Sequence, residues 1–199
     1  MTAMRIIRFG ALLLVVAVAN VDAQRGGGGR GRGGIVTMTL SSTAWSDGGQ
    51  IPEKYTQVGG PAGEVSPPLS WSGAPENTAE FVLIVHDADA PIGNGTDDLL
   101  HWMVWKIPGT ATILSEHRPP GAQLPDGMRQ ISATGPSYRG PGALAAGPAH
   151  HYVFELFAID ATIDVPAVGT PPPQTRAAVV AAMAGHIRGK VVLVGLFKR

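Results

Sequence analysis

The stretch Ala79-Glu80-Phe81-Val82-Leu83-Ile84-Val85-His86 (AEFVLIVH) runs directly into Asp87-Ala88-Asp89-Ala90-Pro91, and its reading decides the fold. An unbroken apolar run rich in β-branched residues, closed by turn formers, reads as an interior β-strand. Working outward, residues 102–107 (WMVWKI), 152–159 (YVFELFAI) and 190–197 (KVVLVGLF) carry the same signal, and residues 35–40 (IVTMTL) read as a first strand. Asp47-Gly48-Gly49 and Ile51-Pro52 punctuate the chain after that strand. In Ser66-Pro67-Pro68-Leu69-Ser70-Trp71 each proline fixes its own φ and holds its predecessor out of the α region, which predicts an extended edge strand. The spacing predicts a helix only over residues 175–184, alanine-rich, preceded by Pro171 to Pro173 and closed by Gly185. No solenoid-length repeat is present. The pattern implies a mainly β chain: an antiparallel β-sandwich of two sheets with a C-terminal helix, in one domain over residues 35–199.

Composition narrows the function classes. A chain of 199 residues suits one domain, and 17 prolines with 27 glycines argue against a helix bundle. Only 15% of residues are charged, and acids balance bases, so no global field draws in nucleic acid or an anionic membrane. Any anion site must therefore be local.

The N-terminus reads as a targeting segment. Arg5 and Arg8 form a basic region ahead of the apolar run at residues 11–19, which is short for a bilayer span. Val21-Asp22-Ala23 then offers a cleavage site before Gln24, so residues 1–23 are expected to be a signal peptide. Residues 24–34 (QRGGGGRGRGG) read as a disordered Gly/Arg-rich leader rather than an RNA-binding tail, since they are short and lack aromatics. The expected location is periplasmic or secreted. Removing residues 1–23, which hold two arginines and one aspartate, moves the net charge from 0 to −1. The chain has no cysteine, which excludes a lipoprotein anchor and any disulfide.

Three clusters could carry chemistry. In extended chain, residues two apart share a face, so Asp87 and Asp89 can converge, and so can His150 and Tyr152. His101 opens the strand at residues 102–107. Tyr138-Arg139-Gly140-Pro141 starts a Gly/Ala/Pro-rich loop whose backbone N–H groups could approach a ligand. Aspartates beside imidazoles favour the protonated ring, a charged donor suited to phosphate or carboxylate. The same aspartates repel anions, which places them behind the histidines. Alternation points His86 and His151 away from the site, and His186 sits by the helix end, where a protonated imidazole meets the macrodipole. A zinc site from two histidines and two carboxylates fits no compact zinc spacing. A hydrolase built from Ser137, His150 and Asp87 lacks a GxSxG elbow. No metal or cofactor is expected.

Taken in order, Ser66-Pro67-Pro68-Leu69-Ser70-Trp71, Asp87 to Pro91, His101-Trp102, Ile107-Pro108, Tyr138-Arg139-Gly140-Pro141 and His150-His151-Tyr152-Val153-Phe154 resemble the phosphatidylethanolamine-binding protein family. The similarity is greatest to its bacterial, Raf-kinase-inhibitor-like branch. Ala182-Met183-Ala184-Gly185-His186-Ile187 and Val194-Gly195-Leu196-Phe197 are similar to that branch's last helix and strand. The resemblance implies a two-sheet sandwich with an anion pocket at one end. It carries the family's DPDAP motif onto residues 87–91, its pocket histidine onto His101, its HxY pair onto His150 and Tyr152, and its loop tyrosine onto Tyr138. The sequence departs at Ala88, where the family usually has proline, and at Ala143-Leu144, where it often has a proline pair.

The expected pocket is thus Asp87, Asp89, His101, Tyr138, Gly140, His150 and Tyr152. The resemblance implies a non-catalytic protein binding phosphate, acetate or phospholipid-headgroup-like anions. A protein-interaction module inhibiting a kinase or protease through the pocket rim stands as the alternative, and a weak hydrolase as the third reading. A protein partner and a homodimer are left open.

Overall fold

The computed structural model describes residues 34–59 and 65–199, so the targeting segment and nearly all of the leader lie outside the described residues. The chain runs β1 (Val36–Thr37), β2 (Thr39–Ser41), β3 (Gly49–Gln50), a 3-10 turn (Glu53–Tyr55), β4 (Leu69–Ser72), β5 (Glu80–Ile92), β6 (Asp97–Pro108), β7 (Ile113–Leu114), β8 (Arg129–Ile131), β9 (His150–Ile159), α1 (Pro172–Met183) and β10 (Ile187–Phe197). The large sheet has the order β1-β10-β9-β5-β6-β8, with β3 also on β10, and the small sheet has the order β2-β4-β7. No helix among the described residues is long and apolar enough to cross a membrane.

The strand that decided the sequence reading is central in the large sheet, and its run from Phe81 to Val85 is unbroken and apolar because both faces are covered there. Phe81, Leu83 and Val85 point into the sandwich core with Trp71, Trp102 and Phe154. Val82 and Ile84 point the other way, under α1, with Trp105, Phe157, Val179 and Met183. The two sheets therefore enclose one core, and the large sheet and helix enclose a second. Close approach between layers demands glycine at one point. A Cβ on Gly195 of β10 would lie 2.4 Å from Ile51 Cγ1 and 2.9 Å from Trp45 Nε1.

Three expectations change. Residues 35–40 are not one strand: β1 pairs in parallel with β10, and after Met38 the chain crosses to pair β2 with β4. The buried Met38 side chain sits at that crossing. The pairings of β10 with β1 and β3 are parallel, so the large sheet is mixed rather than wholly antiparallel. The segment after Pro67-Pro68 is not an edge strand. Both prolines precede β4, whose own residues can all donate an N–H to the ladders on either side and lie centrally in the small sheet.

The β5–β6 ladder is interrupted where the site forms. Val85 faces Trp102, but His86 faces Leu100, which makes His101 the extra residue of a β-bulge. The bulge resets the alternation of β6. Leu100 packs toward α1, while both His101 and Trp102 turn to the sandwich side. A second slip, between Asp87 and Pro91, loops out Ala88, Asp89 and Ala90.

Candidate functional site

A cavity of about 250 Å³ opens at the end of the sandwich, lined by Asp87 (β5), His101 (β6), Arg139, the loop at Gly142–Ala143 and His150 and Tyr152 (β9). Asp87 and Tyr152 face each other directly in the β5–β9 ladder, so their side chains share the inner face. Two residues along β9, His150 joins them, as the period of two requires.

The hydrogen bonds fix what each group can offer. Asp87 is 3% exposed, and its carboxylate accepts the Nδ1–H of His150 at 2.9 Å. That bond leaves the Nε2 edge of the His150 ring for a ligand. The Tyr152 hydroxyl accepts the backbone N–H of Gly142 at 3.2 Å and of Ala143 at 3.1 Å. The loop amides expected to meet an anion are therefore spent on the tyrosine. Burial, with the Asp87 carboxylate adding to it, pushes the Tyr152 hydroxyl up to about 12, so it stays protonated.

His101 departs from the expectation of a charged donor. It is 1% exposed, and burial holds its ring below the ordinary imidazole value, with the Arg139 guanidinium opposing protonation too. The Arg139 carbonyl and the nearby Asp87 act in the opposite direction without overcoming burial. The ring's Nδ1 donates to that carbonyl at 2.8 Å, because a carbonyl oxygen can only accept. The Arg139 N–H returns a bond to the His101 carbonyl at 2.9 Å. Bulge and loop are thus clasped through the backbone of Arg139. His101 Nε2 is left buried and without a hydrogen-bond partner among the described residues.

The remaining expected site residues sit elsewhere. Asp89, carried out by the looped segment, pairs not with a pocket histidine but with His151, through its backbone N–H at 2.6 Å and its Nδ1 at 2.8 Å. Those bonds hold the Asp89 carboxylate below its usual range. Tyr138 is buried behind the pocket, where its hydroxyl donates to the Tyr55 carbonyl at 3.0 Å and its ring meets Trp102 edge-on. Burial raises its hydroxyl well above the usual tyrosine value. Gly140 braces the loop by accepting the Gln57 Nε2–H at 2.8 Å. His186 pairs with Asp160 at 2.9 Å rather than depending on the helix end. His86 faces away from the pocket, as expected, against Asp98 and Glu155.

Arg139 and Gln57 were missed as lining residues. A signal for Arg139 lay in the quoted motif itself. If Tyr138 and Gly140 point inward to brace the loop, the residue between them points the other way. Gln57 comes from the segment after the 3-10 turn, and nothing local in the sequence pairs it with Gly140.

Among the described residues no three His, Asp or Glu side chains form a metal-holding group. A larger cavity of about 410 Å³ lies between the β5–β6 hairpin and α1. Its Asp98 and Arg176 pair with each other at 2.7 Å, which leaves the Asp97 carboxylate as the remaining charge and makes the cavity unsuited to an anion.

The family model for phosphatidylethanolamine-binding proteins matches residues 41–198, which span every pocket residue. The chain belongs to that family. A UPF0098 protein of Methanothermobacter thermautotrophicus is 37% identical over 164 residues, covering 81% of this chain and 99% of the relative. Another from Aquifex aeolicus is 34% identical, covering 84% and 91%. Among solved structures, the phosphatidylethanolamine-binding protein homologue CT736 of Chlamydia trachomatis superposes with a TM-score of 0.65 at 31% identity, covering 82% of this chain and 98% of its own. Escherichia coli YbcL, at 24% identity and a TM-score of 0.67, shares the fold over 81% of this chain and 98% of its own. The bacterial-type family resemblance read from the motifs and the two-sheet architecture is thereby established.

Proposed function

We propose that the protein binds small oxyanions, phosphate or a phosphorylated headgroup, in the cavity between His101, Arg139 and His150, and does so without catalysis. One observation carries this reading. Arg118, Arg129, Arg176 and Arg188 are each paired with an aspartate, whereas Arg139 lines the cavity and enters none of the ion pairs among the described residues. An unpaired guanidinium residue lining the same cavity as the open Nε2 edge of His150 offers a charge-assisted cradle for a planar or tetrahedral oxyanion. The buried Asp87 is held off by the imidazole it orients. Ser137, the nucleophile of the hydrolase reading, is not among the residues lining the cavity.

The location follows from the N-terminal reading: export, with cleavage before Gln24, to the periplasm or beyond. Amino-terminal sequencing of protein recovered from those fractions should begin at Gln24, and an intact Met1 there would overturn it. Leu144, 68% exposed at the cavity rim, supports a second role in which the rim touches a protein partner. A partner captured by the wild type and lost with Leu144→Asp would support that role.

Isothermal titration with phosphate, acetate and phosphoethanolamine tests the anion site. Binding that is lost in Arg139→Ala and His150→Ala is expected. Equal binding by the variants would place the anion elsewhere.

A further inference from the structure

On the other face of the β5–β6 hairpin from the anion cavity lies the larger one, against α1. Leu99 lines the first and its neighbour Leu100 lines the second, so the hairpin separates them. The α1-side cavity is about 410 Å³, within the range of roughly 300–1,000 Å³ typical of small-molecule sites. Its lining is mostly apolar. Leu100 is buried at its base, while Ile92 of the hairpin and Val180 of α1 stay 38% and 46% exposed. Pro172 and Pro173, at the start of α1, add two rigid rings. Elsewhere along the helix Val179 and Met183 close the second core completely, so the uncovered apolar surface is concentrated at this cavity.

The polar lining has a definite sign. Arg176 pairs with the Asp98 carboxylate at 2.7 Å and donates to the Asp98 carbonyl at 3.1 Å, so its charge is matched. Asp97 is exposed, lines the same cavity, and enters none of the ion pairs among the described residues. A helix N-terminus ordinarily draws anions through its open N–H groups. This one has little to offer. Pro171, Pro172 and Pro173 carry no N–H, and the N–H groups of Gln174 and Thr175 both return to the Pro171 carbonyl at 3.0 Å. The three prolines thus replace donors with apolar surface. We propose that this cavity is a second ligand site, independent of the anion pocket, for a small apolar molecule bearing one ammonium group. The apolar body lies against Leu100, Ile92, Val180 and the proline rings, and the ammonium donates to the Asp97 carboxylate. An apolar anion meets no open backbone donor there and is opposed by Asp97. A neutral apolar molecule gains the burial without the charge contact. The proline rings are fixed before the ligand arrives, so little ordering is needed on binding.

The test is titration of the full chain at neutral pH with phenethylamine and hexylamine, set against hydrocinnamate and phenethyl alcohol as an anionic and a neutral counterpart. Two variants accompany it. Asp97→Asn removes the charge at an exposed position, and Ala177→Trp places an indole in the cavity from an exposed helix position. The amines are expected to bind at least about tenfold more tightly than hydrocinnamate. Asp97→Asn should weaken phenethylamine about three- to fivefold, to the level of phenethyl alcohol, the scale of an exposed ion pair. Ala177→Trp should abolish binding of all the probes. Phosphate affinity should stay within about twofold of wild type in both variants, since neither residue lines the anion cavity. Hydrocinnamate binding as tightly as phenethylamine would mean that Arg176 leaves Asp98 for a carboxylate, and would overturn the proposal. So would amine binding that neither variant alters, or no binding of either amine. A phosphate affinity that falls with either variant would contradict the independence of the two sites. Should Ala177→Trp fail to fold, amide chemical shifts of the unaltered protein decide: phenethylamine should move Leu100 and Val180, and shifts confined to the anion cavity would overturn the assignment.

Discussion

His86 and Asp87 are neighbours in β5, and each belongs to an imidazole–carboxylate pair, one on either face of the same sheet. On the outer face His86 lies against Asp98 and 3.6 Å from Glu155. Those acids are in turn paired with Arg176 of α1 at 2.7 Å and Lys190 of β10 at 2.6 Å. Every charge there lies within ion-pair distance of an opposite one, and the network ties helix, hairpin and sheet together, while His86 Nδ1 and Nε2 and Asp98 Oδ1 make no well-formed hydrogen bond among the described residues. On the inner face Asp87 holds His150, and the chain of partners stops. Arg139 has no acid, and His101 Nε2 has no donor among the described residues. The same residue types make a structural clasp where each cation meets an acid and a receptive site where Arg139 is left without one. What separates the two is not composition but which charges the fold leaves unmatched.

The largest expected effect is on affinity. Arg139→Ala or His150→Ala should weaken phosphate binding by about tenfold or more, the scale of one lost charge-assisted hydrogen bond, with thermal unfolding little changed. Calorimetry on both variants checks this. On the outer face the pattern should invert. Glu155→Ala should cost about 1–2 kcal/mol of stability, read by urea unfolding, and leave phosphate affinity within about twofold. A variant on either face that moved both quantities equally would erase the distinction.

Acid should separate the faces as well. Below the ordinary imidazole value of 6.5 the unfolded chain takes up a proton that folded His101 refuses. Its contribution to stability is thus complete above that value and falls as pH drops toward the lower folded value. Glu155, held at about 2 by His86 and Lys190, contributes stability present above 4.5 and lost as pH falls from there toward 2. Unfolding followed from pH 7 to 3 should show two regimes. His101→Phe should flatten the first and Glu155→Gln the second.

The smallest effect concerns the brace. Gln57→Ala removes one neutral hydrogen bond to Gly140, a loss of about 1 kcal/mol or less. A Cβ on Gly142 would meet the Gln57 side chain at 2.5 Å, so Gly142→Ala should be better tolerated in the Gln57→Ala background than alone. Equal cost in both backgrounds would mean that Gln57 does not shape the loop.

Much of this was legible in the chain because apolar content exposes long buried strands. The segments that became β5, β6, β9 and β10 were all recognised as strands, and the alanine-rich helix lies where its prolines and Gly185 bracket it. The two- and three-residue strands β3, β7 and β8 carry no periodicity to read. Alternation predicted correctly that His150 and Tyr152 share a face and that His86 is turned away. It failed where the ladder slips. The looped segment around Asp89 sends that carboxylate to His151, and a bulge sets the orientation of His101, neither of which a period of two encodes. Arg139 was hidden by parity, since its neighbours Tyr138 and Gly140 were read as facing the ligand when they brace the wall behind it.

The most direct test of the central contrast is one titration series: inorganic phosphate into the wild type, His150→Ala and His86→Ala at neutral pH. The account predicts binding by the wild type, near-wild-type affinity in a less stable His86→Ala, and at least about tenfold loss in His150→Ala. Equal affinity in all three, or a loss in His86→Ala as large as in His150→Ala, would contradict it.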